Sequence, residues 1–155
     1  ALVGRFLPKG AQGARGAVAV LRAGGHLGVV VDQRLSEGIL VPFLGEPAST
    51  APALAYLAAR FDSAIVPVRV DRQDGSRFKV VIGEPFLPAR SGDAKADALA
   101  TMTRVNDTIS GWIRERPGQW LWLHRRWPKR RGEPRARARR AKARRARDRA
   151  GRETS

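Results

Sequence analysis

Apolar side chains recur along this chain at two spacings, and each spacing marks a different kind of element. Over residues 14–23, small and apolar residues alternate with Arg15 and Arg22, Val18 and Leu21 stand three apart, and Gly24 and Gly25 follow. That pattern predicts a short helix stopped by glycine. Residues 27–31 form an unbroken, valine-rich run that ends in Asp32 and Gln33. The run predicts a strand buried on both faces, with polar groups at its carboxyl end. Residues 36–45 read as a loop that contains a second short apolar run and closes with Pro42, Phe43, Leu44 and Gly45. Ser49 or Thr50 can cap the next helix, Pro52 suits its first turn, and Leu54, Leu57 and Phe61 supply its apolar stripe.

Residues 65–70 are β-branched, Asp74 and Gly75 make a turn signal, and residues 78–82 return as a strand, so this stretch predicts a hairpin. Pro67 implies an edge or a bulge. Asp93 can cap a long helix in which Leu99, Met102, Val105, Ile109 and Trp112 recur every three to four residues until Pro117 and Gly118. Next come Trp120, Trp122 and Trp127, interleaved with two leucines, His124, Arg125 and Arg126. The order of elements predicts an α/β fold: a mixed sheet flanked by helices over residues 1–127. Residues 128–155 form an Arg/Ala tail with no stripe of large apolar residues, predicted to be disordered or helical.

Charge divides the chain at the same place. The net charge is +16, but residues 125–155 hold 15 Lys/Arg against 3 Asp/Glu, leaving +4 for the first 124 residues. A polybasic tail is attracted to nucleic acid and to anionic phospholipid alike, because both present dense phosphate. It carries no aromatic residue for base stacking, which argues against nucleic acid. Cysteine is absent, so disulfides, thiolate nucleophiles and cysteine metal sites are excluded. No apolar run approaches the roughly 20 residues needed to cross a bilayer, so membrane contact by this segment is expected to be peripheral.

Three groups of residues are candidates for chemistry, and each also has a purely structural reading. Asp32 and Gln33 can cap loop backbone at a strand end, or they can hold hydroxyl groups where α/β folds gather ligands. Thr50 can act as an N-cap, and the same helix terminus can receive a phosphate. Trp120, Trp122 and Trp127 can pack with the leucines as core. Alternatively they sit at the headgroup level of a membrane while Arg125 and Arg126 bind phosphate.

The order and spacing of four blocks resemble the lipid A lauroyl/myristoyl acyltransferase family, within the glycerolipid acyltransferase-like group. They are Asp32-Gln33; Val41-Pro42-Phe43-Leu44-Gly45 with Ser49-Thr50; Ile65-Val66-Pro67-Val68; and the run from Gln119 through the three tryptophans to Trp127. The tryptophan block is the most specific. The resemblance spans residues 14–127 and implies the following expectations. The fold is part of an acyltransferase-like domain at the cytoplasmic face of a bacterial inner membrane. An acyl carrier protein thioester is the donor, and a hydroxyl of a glycolipid, a lipid A precursor, is the acceptor. Phe43 and Gly45 lie beside the acyl and acceptor cleft. No metal or organic cofactor is implied.

In that family a histidine followed after four residues by an acid acts as general base on the acceptor hydroxyl, its imidazole oriented by the carboxylate. This sequence lacks the pair. His26 is followed five positions later by Val31 and His124 by Lys129, and Asp32 stands roughly 20 Å from His26 along an extended strand. No catalytic residue is therefore assigned, and the chain is expected to be a partial domain, inactive alone. Two rivals stand: an acyltransferase for another glycolipid of the phosphatidylinositol mannoside type, and a nucleic-acid-binding protein acting through the tail.

Overall fold

The computed structural model describes residues 4, 6–8, 10–123 and 125–127. Its elements run α1 (Ala11–Arg22), β1 (Ile39–Phe43), β2 (Glu46–Thr50), α2 (Ala53–Arg60), β3 (Val68–Arg72), β4 (Phe78–Ile82), α3 (Ala94–Glu115) and a 3-10 turn (Pro117–Gln119). The fold is α/β, with small β-structure flanked by helices. Its described ladders are two separate antiparallel pairs, β1 with β2 and β3 with β4, the second continued beyond its strands by an isolated bridge between Ile65 and Phe86. The expected division at residues 127 and 128, and the tail with both of its proposed binding roles, lie outside the described residues.

Helix α3 organises the rest. Asp93 caps it as the sequence predicts, its carboxylate accepting hydrogen bonds from the backbone N–H groups of Lys95 and Ala96. Met102 and Val105 are buried against Val41, Ala55, Ala58, Ile65 and Phe86, so one face of α3 closes on both the first hairpin and α2. The buried face is rotated from the apolar stripe. Leu99 is 44% exposed, whereas the smaller Ala98 and Thr101 are buried. Close approach of α2, which contributes Ala55 and Ala58, selects small residues there over a leucine.

The segment read as a loop is the β1–β2 hairpin. Leu44 and Gly45 both take positive φ, 55° and 92°, as a two-residue hairpin turn demands, and glycine meets that demand without a Cβ penalty. The turn is fixed from outside by Ser110 of α3, whose Oγ accepts the Leu44 N–H at 3.1 Å. Alternate residues Val41 and Phe43 then point inward and Leu40 outward.

Two expectations fail for stated reasons. Residues 27–31 form no strand: among the described residues no ladder runs beside them, and Val29 and Val30 are 46% and 76% exposed. β-branched residues favour extended backbone, but a strand also needs a neighbour for its N–H and C=O groups. Thr50 does not cap α2. The N-cap is Pro52, with no side-chain cap bond, because Thr50 stays paired with Ile39 in β2 and its hydroxyl is engaged in the core.

Replacing Met102 by Ala should destabilise the fold by about 2–5 kcal/mol, since it empties a fully buried site. Leu99→Ala should cost less than about 1 kcal/mol. Urea denaturation of the two variants checks the rotated face; a larger loss for Leu99→Ala would contradict it.

Candidate functional site

The chain's tryptophan block returns to the first hairpin, and Arg126 carries the contact. Its guanidinium, 1% exposed, donates from Nη1 to the Ser49 carbonyl at 2.6 Å and from Nη2 to Thr50 Oγ1 at 2.8 Å and Asn106 Oδ1 at 3.4 Å. It also lies 4.8 Å from the centroid of the Phe43 ring, in cation–π contact. Thr50 Oγ1 donates to the Ala48 carbonyl and accepts from both Arg126 and Asn106, so its hydrogen-bonding capacity is filled. Asn106 in turn donates from Nδ2 to the Pro42 carbonyl at 3.0 Å, tying α3 to β1. The network thus joins β1, β2, α3 and the segment after the 3-10 turn.

Burial pulls the Arg126 pKa below the ordinary arginine value, while the negative charge of Asp32 acts in the opposite sense. Asp32 reaches this site from the end of the 27–31 segment, where Val31 packs on the core. Its Oδ2 accepts from Trp120 Nε1 at 3.4 Å. Its Oδ1 is buried without a hydrogen-bond partner among the described residues, as is Arg126 Nε. A buried carboxylate oxygen with spare acceptor capacity suits a polar donor brought by a ligand.

The aromatic residues divide by depth. Phe43 is buried at the centre, with Trp120 and Trp127 tilted against it at 5.5 and 5.8 Å between centroids. Trp127 Nε1 donates to the Phe43 carbonyl. Trp122 meets Trp120 edge-on at 4.7 Å yet is 52% exposed, and its Nε1 donates to the Pro117 carbonyl at 2.8 Å. Its neighbours Leu121 and Leu123 are exposed by 57% and 89%.

Asp32, Thr50, Phe43, Trp120, Trp127 and Arg126 therefore converge, although the first and last stand far apart in sequence. Gln33 and Arg125 are exposed beside them in sequence, and Gly45 forms the hairpin turn. Phe43, Thr50 and Arg126 sit inside the cluster with their polar atoms largely used, while Asp32 and Trp122 form its outer part. Asn106 and Ser110 belong to the cluster and were not singled out by sequence. The available signal was a polar side chain interrupting the apolar stripe between Met102 and Ile113. His26 is exposed and takes no part in these hydrogen bonds; His124 is outside the described residues.

A cleft of about 250 Å³ lies elsewhere, between α2 and the first half of α3, lined by Tyr56, Ala59, Arg90, Asp97 and Thr101 among others. None of the residues singled out by sequence lines it. Among the described residues no group of three His, Cys, Asp or Glu side chains is placed to hold a metal, and no helix is long and apolar enough to cross a membrane.

Arg126→Leu should cost more than about 3 kcal/mol, because it leaves the Ser49 carbonyl and Asn106 Oδ1 without this donor in the interior and removes one of the bonds to Thr50 Oγ1. Arg126→Lys should recover only part of that loss, since an ammonium cannot reproduce the guanidinium fork. Thermal unfolding of both variants checks the ranking; equal stability of wild type and Arg126→Leu would refute the keystone role.

No curated protein matches the chain. A family model described as bacterial lipid A biosynthesis acyltransferase matches residues 1–129 of the 155. The match contains every converging residue and ends just beyond Trp127, so the chain belongs to the bacterial lipid A biosynthesis acyltransferase family.

Proposed function

We propose that this chain forms the acceptor-side wall of an acyl-transfer site, working at the cytoplasmic face of the bacterial inner membrane. In that reaction the hydroxyl oxygen of a lipid A precursor attacks the carbonyl carbon of an acyl carrier protein thioester. The carbon–sulfur bond breaks, and the thiol leaves with the proton. The general base is not among this chain's residues, because neither histidine has an acid five positions on. Binding and orientation are what these residues supply.

The observation that carries the reading is the meeting of Asp32 with Trp120 and Arg126 in one cluster, with Asp32 Oδ1 unpartnered. Asp32 and Gln33 accept and donate to sugar hydroxyls. Thr50 and Arg126 hold the wall beneath them, and Gly45 with Phe43 sets its edge. Arg125, exposed and adjacent in sequence to Arg126, meets the acceptor's phosphate, and a guanidinium suits that planar, bidentate contact. Trp122, the exposed member of the tryptophan group, stands at the headgroup level, with Trp120 and Trp127 anchoring it to the core. An acceptor of the phosphatidylinositol mannoside type would use the same wall, and a comparison of the two glycolipids separates these substrates.

Binding to a phosphorylated acyl-disaccharide in mixed micelles tests the reading. Asp32→Ala and Arg125→Gln should each weaken it roughly tenfold or more, the usual worth of a hydrogen bond to a charged group. The unfolding midpoint should stay close to that of the wild type. If Asp32→Ala loses stability and leaves affinity unchanged, Asp32 is a structural cap and the wall lies elsewhere.

A further inference from the structure

The β3–β4 hairpin is built with its polarity reversed. In most half-buried hairpins the apolar face points to the core and the charged face to water. Here Arg69 and Asp71 point toward α3. Arg69 pairs with Glu115 at 2.7 Å and stacks on Trp112, and the buried Asp71 lies 3.2 Å from Arg116. The register places Val68 opposite Ile82, Val70 opposite Val80 and Arg72 opposite Phe78, so the apolar residues share the other face. Val68, Val70, Phe78, Val80 and Ile82 are between 52% and 71% exposed. A contiguous β-branched face of this kind is unusual on a surface that meets only water.

We propose that this outer face of the hairpin docks on an anionic phospholipid bilayer. The proposal rests on the peripheral-membrane reading above and names a surface for it. Charge selects the partner. Arg72 shares the apolar face, and Arg77 and Asp74 lie in the turn at its end, whereas Lys79 opposes Asp71 on the face toward α3; the turn end of the apolar face is thus net basic, and Arg72 stacks on Phe78. Apolar residues entering the interface beside cations held at the headgroups is the arrangement that binds anionic membranes.

Continuity with the tryptophan block supports the same partner. The Gln119 side chain accepts the Arg72 N–H at 3.1 Å and donates to the Arg72 carbonyl at 3.0 Å, filling the open edge of β3. Two residues later begin the exposed Leu121, Trp122 and Leu123. The clamp ties the chain just ahead of these apolar residues to the end of β3.

Co-sedimentation of the full chain with phosphatidylglycerol/phosphatidylcholine vesicles provides the test, using Val70→Ser/Val80→Ser/Ile82→Ser as the probe variant. These side chains point outward, so circular dichroism should show an unchanged fold, while partitioning should fall roughly tenfold or more. Arg72→Gln/Arg77→Gln should reduce binding to these vesicles and leave binding to pure phosphatidylcholine unchanged. If the wild type fails to bind either vesicle, the peripheral-membrane reading falls and this surface with it. If the wild type binds and the folded serine variant binds equally, that reading stands and the hairpin assignment is wrong. If the serine variant instead turns a wild-type dimer into a monomer with vesicle binding intact, the face is covered by a second copy, which also overturns the proposal.

Discussion

A guanidinium placed out of water must find acceptors, and Arg126 finds three of them, two on β2 and one on α3. Its hydrogen bonds reach the backbone of β2, the hydroxyl of Thr50 and the amide of Asn106 on α3, and its flat face rests near Phe43. Burial of a charge is costly unless it is hydrogen-bonded, so the partners of the two Nη groups hold one another in place. The β1–β2 hairpin and α3 cannot shift independently without exposing that charge to an apolar interior. The return of the tryptophan block onto the hairpin follows from the same requirement.

This constraint also explains the layering of the candidate wall. The residues with saturated hydrogen bonding, Thr50 and Asn106, lie beneath it, and the carboxylate with spare capacity, Asp32, lies nearer its outer part. A wall that is rigid below and polar above suits a reaction in which this chain orients an acceptor and leaves proton transfer to another group. Family membership sets the chemical class, and the geometry suggests which of the chain's side chains take part.

The two hairpins meet α3 with opposite polarity. The β1–β2 hairpin gives it Val41 and Phe43, and α3 answers with Met102, Val105 and Ile113. The β3–β4 hairpin gives it Arg69 and Asp71, and α3 answers with Glu115 and its C-cap residue Arg116. Near that end of the helix the interior contact is ionic, and the apolar side chains of the second hairpin are left on the outside. One helix thus supports both a polar site and an outward apolar face.

Where elements depend on neighbours three or four residues away, sequence alone determined them. The Asp93 cap, the long α3, the second hairpin around Asp74 and Gly75, and the short α1 follow from local capping, turn chemistry and periodicity. The proximity of Asp32, Thr50 and the tryptophan block was legible only as four blocks resembling one family. Tertiary structure alone decided what those residues touch. Arg126, Thr50, Asn106, Asp32 and Trp120 meet partners 20 to 88 residues away, and no window along the chain records such contacts. The same reason governs the failures. Thr50 is a good cap by type, but a buried cation claims its hydroxyl; residues 27–31 favour extension, but no strand among the described residues pairs with them. Alternation shows that a hairpin has two faces, and only the packed helix decides which one turns inward.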